Sequence, residues 1–427
     1  MANGKKYFWL LGREPPTLEP HSEAKHELFR GYLNAYLNRL TLRPEQDRLR
    51  LTIIDGFCGG GSYRGLDGEI TPGSPMIFLQ EVAAAEAALQ SQRRKDFKLA
   101  IDFYFIDESK QHCAYLREEI QKSAFSPMLD KEIRIVRGAF KDAYEPIVRE
   151  ISARRGKRRA LFFLDQYGYS DAPLGIVRRI LKDIDGAEVI LTFAVDALIN
   201  YLSDTERFAK AVQPVELTRS KILDLKKLWE ASESGSRYVV QNALFDHVAR
   251  VTDAPHSSPF FVRSHVSKRA YWLVHLSKHH TARDVMGEIH WRVQNSSLHH
   301  GREGLISLGF DGAFREPSLP FEFDANARQR SVERVQFEAP RLIYAAAETH
   351  GGAIRYEDFY SRLCSHTPVT REMLDAVLCT IRADGDLKVI AADGTVKRGA
   401  KFDWDDRLAK PDSPGLFTIW NPMLRDA

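Results

Sequence analysis

The sequence is poor in cysteine. It has four in 427 residues, and Cys58, Cys113, Cys364 and Cys379 show no CxxC spacing. That argues against a zinc site and against a disulfide framework. Net charge is scarce too. The formal balance is +3, so a role on nucleic acid has to come from local patches and not from global charge. Long hydrophobic runs are also missing. No stretch approaches the roughly 20 apolar residues of a membrane helix. The apolar run in the opening "MANGKKYFWLLGREPP" is too short for a signal peptide. Neither internal repeats nor low-complexity tracts occur. These absences point away from membrane and secreted classes, and a reducing cytoplasm is the expected location.

What is present is ordinary globular material, 44% hydrophobic and 28% charged, in a length that suggests two or three units. In residues 22–40 the side chains Leu28, Phe29, Tyr32, Leu33, Tyr36, Leu37 and Leu40 recur at helical spacing, with Ser22 placed to cap the start. Strand and helix patterns then alternate. Strands are expected at 50–57, 100–107, 133–138, 160–165 and 188–194, and helices at 75–92, 109–122, 142–154 and 173–183. Nearly all-apolar strands alternating with helices imply a parallel sheet covered on both faces.

Residues 196–258 break that rhythm and are expected to form a helical insertion. "PFFVRSHV" and "AYWLVHLS" then flank "SKR" as a β-hairpin, followed by a helix from Thr281 to about Val293. Residues 295–337 are polar and irregular and are expected to be a linker. Beyond them the pattern changes. "APRLIYAAAETHG", "YEDFYSRL" and "TPVTREMLDAVLCTIRADG" predict three helices, and "LKVIAADGTVKRGAKF" predicts a hairpin turning at Asp393-Gly394. Three helices and a hairpin in that order make a winged helix-turn-helix over 338–427, after a first domain over 1–294.

The segment "IIDGFCGGGSY" (53–63) ends the first strand of the alternating part. Ligands of doubly wound sheets lie beyond the carboxyl ends of the strands. Glycine admits backbone angles and close approaches that a Cβ blocks, and a turn entering a helix offers backbone N–H groups to a ligand. Five parallel strands ending in a hairpin resemble the class I methyltransferase sheet, a Rossmann-like α/β architecture. The pattern Asp55-x-Phe57-x-Gly59-x-Gly61 is similar to the S-adenosylmethionine (SAM) loop of amino-methyltransferases acting on nucleic acid. It fits the nicotinamide pattern GxGxxG less well, because position 64 is arginine. Gly60 is the one glycine that the pattern does not require.

By the same resemblance Asp107, in "FIDE", would accept hydrogen bonds from ribose hydroxyls, with Glu108 as a substitute. Gly138 and Phe140, after the third strand, would line the adenine pocket. In "GSP" (73–75), Ser74 would cap the next helix and Pro75 would sit in its first turn.

The fourth strand closes with "FFLDQYGYS" (162–170), where amino-methyltransferases carry [D/N]PP[Y/F]. Asp165 and Tyr167 fit that pattern, while Gln166 and Gly168 depart. The resemblance implies that Asp165 accepts from the target amine and that Tyr167 stacks on the base. An aspartate at a strand end can equally cap a helix. The basic run Arg154, Arg155, Lys157, Arg158 and Arg159 precedes this strand, at the amino edge of the sheet, either as a solvated loop or as a distant phosphate contact. His279-His280 and His299-His300 are adjacent pairs, which implies no chelating geometry, and no metal is expected. "HLSKHH" would follow the hairpin and hang over the pocket.

The order of these pieces resembles the three-Cys-motif partner (TcmP) family: the first helix with "HSEAK", then "DGFCGGGSY", "GSP", "FIDE" and "FLDQYGY". The family form at the last site is close to LDPYG, so Gln166 departs there as well. The resemblance implies a SAM-dependent methyltransferase that works beside a partner whose three-cysteine motif resembles radical-SAM proteins. That motif is absent here, so no iron–sulfur cluster is expected in this chain.

In a DNA-binding winged helix the third helix enters the major groove and the wing touches backbone. Arg371 and Arg382 lie on the expected recognition helix, and Lys397, Arg398 and Lys401 in or near the wing, all placed for phosphate contact. Glu357, Asp358, Glu372, Asp375 and Asp384 lie close by and keep a protein-contact role open. The combined expectation is methyl transfer to an amino nitrogen of a nucleic-acid base, with DNA as the first substrate. The alternative of another class is a SAM-binding or SAM-empty adaptor for nucleic acid and partner.

Overall fold

The computed structural model describes residues 7–93, 97–166, 168–231, 237–263, 270–292, 298–299, 321–322, 325–364 and 369–412. They divide into two compact units, Met1–Pro255 with Pro259–Val285, and His256–Ser258 with Met286–Ala427.

The first unit is built on seven strands: β1 (Arg48–Asp55), β2 (Lys98–Asp107), β3 (Ile133–Arg137), β4 (Arg159–Leu164), β5 (Gly186–Phe193), β6 (His256–Arg263) and β7 (Ala270–Ser277). Their order in the sheet is β3-β2-β1-β4-β5-β7-β6. The first five pair in parallel and β7 runs antiparallel to β5, with Glu188 opposite Ser277. Helices α1 (Pro20–Leu40), α2 (Ser74–Gln92), α3 (Lys110–Gln121), α4 (Phe140–Ser152) and α5 (Leu174–Asp183) accompany them. The strands are buried almost throughout, as their apolar sequences require: Ile53, Phe103, Phe163 and Leu191 are wholly inaccessible. Short helices over Val195–Asn200, Glu206–Ala211, Arg219–Ala231 and Arg237–Thr252 fill the stretch between β5 and β6.

Local differences from expectation have simple causes. Ser22 lies inside α1, because Pro20 opens the helix at its first turn and Glu19 takes the cap position without a side-chain bond. Gly73, not Ser74, is the cap position of α2, which frees the Ser74 hydroxyl. A short antiparallel hairpin, Ser62–Arg64 with Ile70–Pro72, follows the glycine segment and was not anticipated. The N-terminal segment lies along it: Leu18 N–H donates to Arg64 O at 2.8 Å and Arg64 N–H to Pro16 O at 3.0 Å.

In the second unit come α6 (Ala325–Thr349), β8 (Ala353–Arg355), α7 (Tyr356–Cys364), α8 (Arg371–Ala383), β9 (Lys388–Ile390) and β10 (Arg407–Ala409). The three strands form an antiparallel sheet in the order β8-β10-β9. Thr370 caps α8 by accepting from Met373 N–H. The helix α6 begins well inside the linker expected over 295–337. Ala327, Ser331, Val335, Ala339 and Ile343 recur every four residues and are all wholly buried, a stripe that Pro340 does not interrupt. The turn at Asp393-Gly394 is present, with Gly394 at φ +86° and Ala391 N–H on Thr395 O. Its returning arm makes one bridge, Ile390 with Val396, and the lasting partner of β9 is β10. The hairpin expected over 387–402 is therefore a loop whose first arm pairs with a later strand.

Among the described residues no helix is long and apolar enough to cross a membrane, and no cluster of side chains is arranged to hold a metal ion.

Candidate functional site

Parallel strands carry their carboxyl ends to one edge, and the residues there are acids. Asp55 ends β1, Asp107 ends β2 and Asp165 follows β4. After Asp55 the chain is stitched to both neighbours of β1. Gly56 N–H donates to Phe163 O of β4 at 2.9 Å, and Cys58 N–H to Ile106 O of β2 at 3.0 Å. The loop then turns with Gly59 at φ +60° and Gly61 at φ +87°, angles open to glycine and costly for other residues.

Gly59, Gly60 and Gly61 are buried, yet their N–H groups donate to no described residue. Buried backbone donors are nearly always paired, with protein, water or ligand. Three in succession at a strand end make a cradle for an anionic or polar group.

One face of this loop is covered by a residue that the sequence pattern did not nominate. Trp9 is buried and donates Nε1–H to Ser62 O at 2.7 Å. A Cβ on Gly60 would stand 2.3 Å from the Trp9 indole, and one on Gly59 2.8 Å from it. Gly60 is thus needed after all, for packing against Trp9. Gly61 is needed twice over, since a Cβ there would meet Leu116 of α3 at 2.5 Å. Trp9 also sits edge-on to Tyr63 and His112, with centroids 5.2 and 4.9 Å away.

The three acids are held differently. Asp55 accepts from Ser74 Oγ–H at 2.6 Å and Phe57 N–H at 3.1 Å. Burial pushes its carboxyl up to about 7; the two hydrogen bonds oppose that rise, and the charges of Asp165 and Asp107 add to it. Asp107 Oδ1 accepts from Ser109 N–H at 2.7 Å and from His112 Nδ1–H at 3.1 Å. His112 is buried, and its Nε2 has no partner among the described residues.

Asp165 accepts from Lys25 Nζ on both oxygens, at 2.7 and 2.5 Å, and from Thr192 Oγ1–H on Oδ1 at 2.7 Å. Burial works to raise its pKa. The Lys25 charge, with the bonds from Lys25 and Thr192, outweighs that and holds the carboxyl below its ordinary value. Two acceptor positions on each oxygen leave one unused on Oδ2. The Asp165 side chain as a whole is 31% exposed.

Lys25 belongs to "HSEAK", the stretch that carried the family resemblance without a role. It lies four residues before Phe29 and seven before Tyr32 on the buried face of α1, a legible sign that its charge must meet a partner. Gln166, the departure from LDPYG, is buried. Its amide donates to Thr192 O at 3.3 Å and accepts from Ala172 N–H at 2.9 Å, tying the end of β4 to β5 and to its own loop. Tyr169 donates to Ala194 O at 2.5 Å. Tyr167 lies outside the described residues.

Other nominated residues are placed less favourably. Phe140 opens α4 and is 2% exposed, packed beneath Gly56 and 6.0 Å from the Phe57 ring. It props the loop from the core and offers a ligand little surface, whereas Phe57 is half-buried. Gly138 N–H is taken by Asp107 O at 3.0 Å. "HLSKHH" does not hang over this edge. Because β7 is antiparallel, Ser277 pairs near the start of β5, so Lys278, His279 and His280 follow at the opposite edge.

In the second unit, Arg371 donates to Phe402 O at 2.6 Å and lies 4.2 Å from the Trp404 ring centroid. Lys397 is paired with Asp403 and Asp406, at 2.7 and 2.6 Å. Arg382 donates to Gly399 O at 2.8 Å. Each of these three holds the domain's own chain. Arg398 and Lys401 are exposed and form no ion pair with described residues.

No family model matches the chain, and no curated protein matches it. Solved structures do. The bifunctional kinase-methyltransferase WbdD is 14% identical over 60% of this chain and 39% of its own, with a TM-score of 0.30. The plantazolicin methyltransferase BamL, solved with a triazolic desmethylPZN analogue and SAH, is 11% identical over 61% of this chain and 88% of its own, at 0.26. Loganic acid methyltransferase with SAH is 11% identical over 62% and 99%, at 0.22. Likeness this distant carries no argument, and the strand order by itself is that of a mixed α/β sheet with five parallel strands and an antiparallel edge.

Proposed function

We propose that this chain is a SAM-dependent methyltransferase acting on an amino nitrogen of a nucleic-acid base, DNA first. The observation that carries the cofactor assignment is the run of buried residues Gly59, Gly60 and Gly61, whose N–H groups donate to no described residue. It is flanked by Asp55 and Asp107 at the carboxyl edge of the sheet. These donors suit the carboxylate of an amino-acid moiety, and an acid after β2 suits a ribose. SAM would supply a methyl group already activated as a sulfonium, so the protein's task is alignment.

Asp165 does the aligning. Lys25 and Thr192 fix its carboxylate and keep it ionised, and Oδ2 retains one acceptor position for the N–H of the target amine. A target base in duplex would be flipped out to reach it. The second unit, with its helix–strand–helix–helix–strand–strand order, acts as a winged helix. Arg398 and Lys401, exposed and without an ion pair among the described residues, are its cations for phosphate. A three-cysteine, radical-SAM-like partner follows from the family resemblance.

A non-catalytic SAM-binding adaptor is the second reading, and the Lys25–Asp165 pair favours it, because the acid is already engaged. Calorimetric titration with SAM and SAH, followed by label transfer to DNA, RNA and partner protein, separates the two. Asp165→Ala should abolish transfer, a loss of at least about a hundredfold, and leave SAM affinity in place. Unchanged turnover in that variant would remove Asp165 from the mechanism. Tight SAM binding without transfer to any acceptor would establish the adaptor.

A further inference from the structure

The amino edge of the same sheet carries a cleft of about 640 Å³ lined by six cations: Arg43, Arg48, Arg50, Arg155, Lys157 and Arg159. They come from the α1–β1 loop, the start of β1, the α4–β4 loop and the start of β4. Among the described residues Glu45 is the one acid in the lining. None of the six forms an ion pair with a described residue.

Their neighbours in sequence behave otherwise. Arg154 pairs with Asp102 at 3.0 Å and Glu150 at 2.9 Å, and Arg158 pairs with Asp185 at 2.5 Å. Neither lines the cleft. The basic run is thus sorted: the members turned away from the cleft are neutralised, and those in it have no ion pair among the described residues. Mutual repulsion among six cations works against the fold, so stability does not account for the arrangement.

The loop bearing Arg43 is braced. Arg93 donates to Gln46 O at 2.5 Å and to Arg43 O at 3.1 Å, and its guanidinium covers the Phe97 ring. Arg48 and Arg50 flank the buried Leu49, so both emerge on one face of β1, about 7 Å apart along the strand. That spacing is comparable with successive phosphates on a nucleic-acid strand. Among the described residues the lining is cationic and holds no aromatic side chain; at phosphate spacing its contacts fall on the backbone, which carries no sequence information directly.

We propose that this cleft is a sequence-independent binding site for the phosphodiester backbone of a nucleic acid, separate from the carboxyl-edge site and from the second unit. It stands whether or not the chain methylates anything.

The test uses the full chain and fluorescence anisotropy with a labelled duplex DNA and a labelled RNA hairpin, across a salt series. Arg155→Glu/Lys157→Glu changes two exposed loop residues. It should weaken binding by at least about tenfold at low salt and lower the slope of log K against log salt by about two. Arg398→Ala/Lys401→Ala in the second unit should leave that increment intact when the two pairs are combined. If the charge-reversed protein melts early, Arg155→Ser/Lys157→Ser gives the same comparison with a smaller loss. Loss on DNA alone or on RNA alone identifies the nucleic acid. Binding equal to wild type in the loop variants overturns the proposal, as does the absence of any binding by wild type. Inorganic tripolyphosphate displacing the probe at micromolar concentration would assign the cleft to a small polyanion instead and overturn it too.

Discussion

The two edges of the first unit's sheet treat charge in opposite ways. At the carboxyl edge each acid is held by protein: Asp55 by Ser74 and a backbone N–H, Asp107 by His112 and a backbone N–H, Asp165 by Lys25 and Thr192. At the amino edge, among the described residues, six cations share a cleft with one acid and no ion pair. The difference follows from water. Removing a charge from solvent without a partner costs several kcal/mol, so a buried edge has to satisfy its acids and thereby becomes rigid. Five of the six cations are exposed and stay hydrated, so they hold their charge until a polyanion displaces counterions. One edge is fixed by its own hydrogen bonds. The other is an electrostatic surface.

The comparison can be broken most severely at Lys25. Lys25→Met leaves Asp165 with Thr192 as its remaining described donor, and burial then acts on the carboxyl with less opposition. Methyl transfer should fall by about ten- to a hundredfold at neutral pH, with its acid limb moved to higher pH. A simple packing role for Lys25 would lower activity without moving the limb, so the pH–rate profile decides. In the amino-edge cleft, losing any one cation should leave turnover unchanged when both SAM and the acceptor are saturating.

Gly60→Ala tests how tightly the carboxyl edge is packed. The new methyl meets Trp9 at 2.3 Å, and overpacking of this kind costs about 1–3 kcal/mol. Urea unfolding should show it, and SAM affinity should drop with it. Combining it with Trp9→Ala should recover part of the loss, because the clash partner is gone. Strictly additive effects would mean that the loop does not rest on the indole.

The finest effect is in pH dependence. Asp55 holds its proton up to about 7, against an ordinary 3.8. Across that window the folded protein keeps a proton that the unfolded chain has lost, so stability falls as pH rises. Asp55→Asn removes this, and its advantage in melting temperature over wild type should grow from about pH 4 to about pH 7. His26, pushed down from 6.5 to about 4 by burial first and by the Lys25 charge next, has the opposite sign. There the unfolded chain binds the extra proton, and stability falls as pH drops through that range. Asp55→Asn should therefore steepen the acid loss that His26 causes, and His26→Gln should flatten it. Parallel melting curves for the three proteins would discard both assignments.

Much of the sheet could be read from the chain. Apolar strands at 100–107 and 160–165 are observed at Lys98–Asp107 and Arg159–Leu164, because wholly buried parallel strands leave little choice of residue. The acids and glycines at the strand ends were visible for the same reason. What bound them was not. Lys25 and Asp165 are 140 residues apart, Trp9 covers a loop some fifty residues later in sequence, and Ser74 reaches back to Asp55. Local pattern carries no information about such pairs. In the second unit the residues that looked ready for phosphate, Arg371, Arg382 and Lys397, bind their own domain. A cation's partners are a tertiary matter, whatever its position on a helix.

The sequence by itself determined the alternation of strands and helices and the direction of the sheet. It also determined that acids and glycines would meet at one edge, since periodicity and turn chemistry are local. Only the tertiary structure decided which donors hold each of those acids and which glycines are needed for packing. It also decided that the histidine-rich turn falls on the far side. Burial and pairing depend on what the rest of the chain brings within a few ångströms.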